Sequence, residues 1–235
     1  WSTFSSVCTP NAAKLGQAPK HSITHDIQIK PGSRPVTAKA RKLFGAKLEA
    51  AKNEFDTMLK LGIVRPSKSD WASPLHMATK SDGSYRPCGD FRALNAATVP
   101  DRYPLPHIQD FTRDLRGAKV FSKIDLVRAF HQIPLAEDAI PKTAVITPFG
   151  LFEFLKMPFG LCNAAQAFQR FMDLVVRGLE GVYVYIEDIL VSSTTDEEHV
   201  NPQKSTYFGG QRGPVSGLPR RRRRHQAARL QGHGG

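Results

Sequence analysis

Two adjacent carboxylates, Glu187 and Asp188, sit inside Val182-Tyr-Val-Tyr-Ile-Glu-Asp-Ile-Leu-Val191, between two short runs of β-branched and aromatic residues. Such runs favour a half-buried sheet, and a tight connection between them makes a hairpin with an acidic tip. Paired carboxylates repel unless a cation lies between them, so the segment suggests a hard-metal site built from oxygen ligands. An acidic turn that holds no ligand is the alternative the decapeptide alone leaves open. A third carboxylate, Asp125, lies near the end of the strand-like Lys119-Val-Phe-Ser-Lys-Ile-Asp-Leu126.

The elements that must position these groups are legible in the apolar pattern. Leu48, Ala51, Phe55, Met58 and Leu59 follow helical spacing from about Ala46, and Gly62 stops the run before the strand-like Ile63-Val64. Asp82-Gly83 lies between two candidate strands, Trp71 onward and up to Arg86, which is a hairpin signal. Pro104 suits a first helical position, and a helix is expected from there to Arg116, where Gly117 ends it. A further helix is expected from Asn163, a good N-cap, with Phe168, Phe171, Met172, Val175 and Leu179 on its buried side before Gly181. Strand, helix, then hairpin is the order of a split βαβ unit. It is expected to lay the strand of Asp125 beside the first strand of the hairpin, bringing Asp125 to Glu187 and Asp188.

Composition bounds the class. The 235 residues, 40% of them hydrophobic, can bury a core in one domain or two joined lobes. No apolar run approaches the roughly 20 residues of a membrane-spanning helix, and the N-terminal residues lack a secretory pattern. Cys8, Cys88 and Cys162 lack metal-ligand spacing and fit reduced thiols in an intracellular compartment. The net charge of +12 divides into +8 over residues 1–100, −4 over 101–200 and +8 over 201–235. A basic first half beside an acidic second half suits one lobe gripping phosphates and another holding cations, and solvated surface lysines are the plainer alternative.

Three carboxylates on neighbouring strands can hold two Mg²⁺ ions about 3.5–4 Å apart, the geometry polymerases use for in-line displacement at phosphorus. Residues from about His25 to His199 resemble the reverse transcriptase domain of gypsy-type LTR retrotransposons and their retroviral relatives. The segments that carry the resemblance are Leu61-Gly-Ile-Val-Arg-Pro-Ser, Trp71-Ala-Ser-Pro-Leu-His-Met, Tyr85-Arg-Pro-Cys-Gly-Asp-Phe-Arg-Ala-Leu-Asn95 and Pro100-Asp-Arg-Tyr-Pro-Leu-Pro-His-Ile-Gln-Asp110. They continue with Val120-Phe-Ser-Lys-Ile-Asp-Leu126, Thr147-Pro-Phe-Gly-Leu-Phe-Glu-Phe154, Met157-Pro-Phe-Gly-Leu161 and Tyr185-Ile-Glu-Asp188.

The resemblance implies an α+β fold, the fingers and palm of a right-hand polymerase with a split βαβ, ferredoxin-like palm and no thumb. It implies an N-terminal arm or linker over 1–45, fingers over 46–103, a first part of the palm over 104–131, a fingers insertion over 132–162 and a second part of the palm with the acidic hairpin over 163–200. It also implies RNA-directed DNA polymerase activity: nucleotidyl transfer from deoxynucleoside triphosphates onto a primer paired with an RNA or DNA template, within a larger polyprotein. Asp125, Glu187 and Asp188 are the implied catalytic and metal-binding residues, with Mg²⁺ or Mn²⁺ as the ion. Arg86 and Lys80 are the implied cations for the incoming triphosphate. Phe130 stands where the family has an aromatic ring beneath the sugar that rejects a 2′-hydroxyl, and on composition alone it is a core phenylalanine. Phe159 and Gly160, with Gln166 and Gln169, would form the loop and helix that hold nucleotide and template. The expected location is intracellular and cytoplasmic, with virus-like particles as one setting, and no membrane.

Two departures accompany the resemblance. The family pattern has Asp where this chain has Glu187, and the added methylene moves the carboxylate by about 1 Å, enough to cost on the order of 10²-fold in rate. After His199, the residues Val200-Asn-Pro-Gln-Lys204 follow Asp196-Glu-Glu198 as though a helix had been removed. The tail over 201–235 then becomes basic and low in complexity, with Arg220-Arg-Arg-Arg-Arg224, and reads as disordered. An out-of-frame or mis-joined reading explains that composition, and an RNA-binding or nuclear-import tail is the functional alternative. The competing reading of the whole chain is a catalytically impaired nucleic-acid-binding remnant of a decayed element. A metal-dependent phosphodiesterase would need histidines or further carboxylates near the hairpin, and the sequence offers none.

Overall fold

The computed structural model describes residues 21–107, 115–126 and 128–195. Helix α1 (Gly45–Lys60) buries Ala51, Phe55 and Met58, the helical stripe expected from the sequence. It ends in a Schellman motif: Ile63 N–H donates to the Met58 carbonyl at 2.9 Å and Gly62 N–H to the Leu59 carbonyl at 3.1 Å. Gly62 has φ +62°, a backbone state that costs a glycine nothing.

Strands β1 (Val64–Pro66), β2 (Ser73–Thr79) and β3 (Tyr85–Gly89) come next, followed by the short helix α2 (Arg92–Ala97). The β2–β3 hairpin closes at Thr79↔Tyr85 around the expected Asp82-Gly83. Asp82 Oδ1 accepts both the backbone N–H of Ser84, at 2.9 Å, and its hydroxyl, at 2.6 Å, an Asx-type turn that leaves Gly83 at φ +80°. Strand β4 (Val120–Asp125) follows, and two 3₁₀ turns, Ala129–Gln132 and Pro141–Thr143, lead into β5 (Val145–Thr147) and β6 (Gly150–Phe154). Helix α3 (Ala164–Val175) and the hairpin β7 (Val182–Tyr185) and β8 (Asp188–Ser193) complete the order.

The strands form two sheets. A five-stranded sheet runs β1-β6-β5-β2-β3, and a three-stranded sheet runs β4-β8-β7 with α3 on one face. One apolar core joins them, from Phe55 and Phe91 through Phe130 to Phe168 and Ile189. Phe130 is its hinge point, with its ring 4.9 Å from that of Phe159 and 5.2 Å from that of Phe168. The N-terminal arm, expected as a linker, is tied down by isolated bridges at His25↔Leu135, Ile29↔Thr98 and Thr37↔Ala72.

Three expectations need correction. Strand β4 pairs with the second strand of the hairpin, β8, and not with the first. In a split βαβ unit the returning strand inserts between two parallel ones, and the antiparallel ladder it makes with β4 brings Asp125 level with Asp188. Residues 104–107 carry no helix, because the X-Pro pairs Tyr103-Pro104 and Leu105-Pro106 keep the preceding residues out of the α region; residues 108–114 of that expected helix lie outside the described residues. Asn163 does precede α3, but its side chain makes no cap. It accepts the Asp101 N–H at 3.0 Å and donates to the Val99 carbonyl at 2.8 Å, pinning the 99–101 segment to the start of the helix. The arm before residue 21 and the tail beyond 195 lie outside the described residues.

Two histidines in this core make the fold acid-sensitive. Burial pushes the His25 imidazole down to about 4 despite the opposing pull of Asp26 and Asp101. Burial, reinforced by the charge of Arg128, also brings His131 to about 4. Both stay neutral in the fold while the unfolded chain takes up protons below about pH 6.5, so stability falls as pH drops from there toward 4. The expected loss between pH 7 and pH 5 is about 2 kcal/mol per histidine. Urea unfolding at the two pH values measures it, and His25→Gln should remove about half of the difference; an unchanged pH dependence in that variant would count against the assignment.

Candidate active site

The site begins with the turn between β7 and β8. Tyr185↔Asp188 is the last pair of the ladder, so Ile186 and Glu187 alone form the connection. Ile186 has φ +55°, a left-handed state that a β-branched residue adopts only under strain of about 1–3 kcal/mol. Gln169 on α3, 1% exposed, holds it there. Its Oε1 accepts the Ile186 N–H at 2.8 Å, and its Nε2 donates to the Val184 carbonyl at 3.1 Å and to Asp173 Oδ1 at 2.8 Å. Asp173 is in turn anchored by the Tyr103 hydroxyl, which donates to its Oδ2 at 2.5 Å. The Leu126 N–H, just past β4, donates to the Glu187 carbonyl at 3.4 Å.

The register of β4 against β8 sets Asp125 opposite Asp188. Partners in an antiparallel ladder project to the same side of the sheet, so the two acidic positions share a face. The side chain of Asp125 lies outside the described residues. Lys123, two residues earlier on the same strand, places its Nζ 2.9 Å from Asp188 Oδ1. The Lys123 ammonium thus neutralises one of the hairpin's carboxylates, and a metal ion bound at Asp188 would take its place. Among the described residues no cluster of three or more metal-ligating side chains is assembled.

Beside the hairpin lies a cavity of about 450 Å³. Glu187 forms one wall; Lys80, Tyr85 and Arg86 come from the β2–β3 hairpin, Glu54 and Met58 from α1, Arg128 and His131 from the 3₁₀ turn, and Pro158 and Phe159 from the loop before α3. Of the residues expected from the sequence, Lys80, Arg86, Phe159 and Glu187 meet here. Phe130 does not line the cavity; it is 8% exposed and stacks edge-on behind Phe159. Gly160 does not line it either. Its φ of +93° and its carbonyl, which accepts Asn95 Nδ2 at 2.8 Å, shape the loop that presents Phe159. Gln166 is half-buried on α3 with Oε1 lacking a partner among the described residues, and Gln169 binds the hairpin and not the cavity.

Glu54, Arg128 and His131 entered no expectation. Glu54 reads as a solvated helix residue, and the 3₁₀ turn that brings Arg128 and His131 to one side has no apolar period to betray it.

A family model described as Reverse transcriptase (RNA-dependent DNA polymerase) matches residues 78–207, more than half of the chain. The chain belongs to the reverse transcriptase family. Relatives from Drosophila melanogaster include the retrovirus-related Pol polyproteins of transposon opus, 43% identical over 153 residues, and of transposon gypsy, 38% identical over 176. These alignments cover 62% and 72% of this chain, and the chain spans 15% and 17% of those polyproteins. Among solved structures, the prototype foamy virus protease–reverse transcriptase matches with a TM-score of 0.71 at 21% identity, covering 80% of this chain and 25% of the other. The foamy viral enzyme in complex with an RNA/DNA hybrid matches with a TM-score of 0.72 at 22% identity, covering 82% and 26%. At that identity the likeness establishes the fold, and this reverse transcriptase chain has the fingers-and-palm architecture.

The strained turn yields a test of its anchor. Gln169→Met keeps the volume but strips the acceptor from the Ile186 N–H and the donors from Val184 and Asp173, with an expected loss of about 2–3 kcal/mol. Hydrogen exchange of the Ile186 amide should accelerate toward the solvent rate in this variant. An amide still as protected as in the parent would show that the turn is held by something else.

Proposed function

We propose that this chain is the fingers and palm of an RNA-directed DNA polymerase that transfers nucleotides from deoxynucleoside triphosphates onto a primer paired with an RNA or DNA template, within a larger intracellular, cytoplasmic polyprotein. The observation that carries this reading is the β4–β8 register, which sets Asp125 opposite Asp188, each next in sequence to a residue, Leu126 or Glu187, that lines the same cavity as Lys80 and Arg86. Fingers over residues 46–103 and 132–162, and palm over 104–131 and 163–200, are the matching division of the chain.

In this reading Asp125, Glu187 and Asp188 hold two Mg²⁺ ions, with Mn²⁺ able to replace them; when bound, the ions supply an activated attacking oxygen and charge for the leaving pyrophosphate. The oxygen-only donor set suits such hard ions, which would displace the Lys123 ammonium from Asp188. Arg86 and Lys80 neutralise the triphosphate from the side of the β2–β3 hairpin, the planar guanidinium giving paired hydrogen bonds and the ammonium a point charge. The Phe159 ring, backed by Phe130, gives the sugar an apolar floor.

A second reading, an impaired nucleic-acid-binding remnant, is favoured by Glu187 alone. Its longer side chain starts from a turn residue that the Gln169 anchor leaves little freedom to retreat. Primer extension on poly(rA)–oligo(dT), with Mg²⁺ and then Mn²⁺, separates the two. Asp125→Asn should abolish extension, and Glu187→Asp should raise the Mg²⁺ rate by about 10²-fold. Equal rates for Glu187 and its Asp variant would remove the argument from side-chain length, and salt-sensitive binding without extension from either would leave the remnant.

A further inference from the structure

Arg128 is the feature of the cavity wall that the reading above leaves unexplained. It lies three residues beyond Asp125, with φ +54° and ψ +38°, the only described non-glycine residue besides Ile186 in the left-handed region. Non-glycine residues held there signal a surrounding structure that over-determines them. Its side chain is 28% exposed, and only one of its donors is used for an ion pair: Nη2 reaches Glu54 Oε1 at 3.1 Å. Nη1 is buried and has no acceptor among the described residues.

Two other arginines of this chain give the contrast. Arg92 grips Asp90 through two nitrogens, at 2.7 and 2.8 Å, and Arg170 meets both oxygens of Asp101, at 3.0 and 2.8 Å. Each of those carboxylates is held through both of its oxygens, whereas Arg128 reaches Glu54 through the single Nη2–Oε1 contact. A buried guanidinium nitrogen without an acceptor is costly unless an anion completes it. A guanidinium offers a planar fork that matches phosphate oxygens, and Arg128 shares its cavity with Lys80 and Arg86 of the β2–β3 hairpin.

We propose that Arg128 is a third polyphosphate-binding cation of this cavity and that Glu54 is its place-holder, surrendering the guanidinium when the phosphates of a nucleoside triphosphate enter. The identification of that ligand rests on the polymerase reading, and the chemistry, an anion with several phosphoryl oxygens, rests on the cavity. His131, one 3₁₀ turn on, lines the same cavity and is kept neutral by burial, so it adds no charge of its own to the site. Since Glu54 belongs to α1 and Arg128 to the N-terminal end of the 3₁₀ turn that follows β4, the exchange also breaks an ion pair between that helix and the segment leading out of the strand that carries Asp125.

Titration calorimetry of the full chain with inorganic tripolyphosphate, and separately with dTTP, tests the proposal. Arg128→Ala should weaken both by about 10-fold or more, the worth of one charge-assisted pair of hydrogen bonds, with Arg128→Lys between it and the parent. Glu54→Gln, which leaves the guanidinium in place, should tighten both several-fold, whereas Glu49→Gln on the exposed side of α1 should change neither. Parent affinity in Arg128→Ala, or no tightening in Glu54→Gln, would overturn the proposal, as would the absence of tripolyphosphate binding by the parent. Primer extension keeps the two failures apart. Extension with Arg128-independent binding would sink the third cation and leave the polymerase reading, and Arg128-dependent tripolyphosphate binding without extension would do the reverse.

Discussion

The amide of Gln169 is the contact on which the acidic hairpin depends. A two-residue turn with isoleucine in the left-handed region is not a conformation the local sequence favours; asparagine or glycine would adopt it without strain. The strain persists because a buried side chain on α3 satisfies the Ile186 N–H and the Val184 carbonyl together, and because Asp173 and Tyr103 orient that side chain. The amide has no second stable arrangement in so dry a place, since rotating it would set its donors against the Ile186 N–H. The direction in which Glu187 and Asp188 leave the backbone is thus a property of the helix as much as of the hairpin.

The same logic explains why the two sheets must be docked before the site exists. The carboxylates belong to the three-stranded sheet, while Lys80 and Arg86 stand on a hairpin of the five-stranded one. What joins the sheets is apolar: Phe130, Phe159 and Phe168 in contact, with Phe91 behind them. Polar ties then select the arrangement, as Asn95 does by donating to the Gly160 carbonyl and accepting the Cys162 N–H at 3.0 Å. Aromatic burial supplies most of the energy, at about 1.5–3 kcal/mol for each large side chain, and the hydrogen bonds decide which of many packed arrangements is adopted.

Much of this was legible from the residues and some of it was not, for reasons that differ by element. The α1 stripe, the Asp82-Gly83 hairpin and the acidic hairpin were readable because period and turn chemistry are local properties. The partner of β4 was not, because strands of Val, Phe and Ile pair equally well with either arm of a hairpin, and only three-dimensional closure chooses. The proline pairs at 103–106 carried their own warning, yet a proline also opens helices, and the two signals conflict. Gln169 was visible as a residue but its role was not: a glutamine on a helix reads as a ligand or a solvated side chain until the backbone group it serves is found 17 residues away.

Glu187 is where these constraints meet. Were the turn free, a longer carboxylate could be accommodated by letting the backbone fall back by the length of one methylene. The turn is not free: the Ile186 N–H is committed to Gln169, the Glu187 carbonyl to the Leu126 N–H, and the next residue, Asp188, to the β4–β8 ladder. A lengthened side chain on an unyielding turn must therefore reach further into the cavity that Glu187 lines. Its carboxylate then enters a cavity that Lys80, Arg86 and Arg128 also line, so the added methylene bears on those cationic side chains as much as on the hairpin itself.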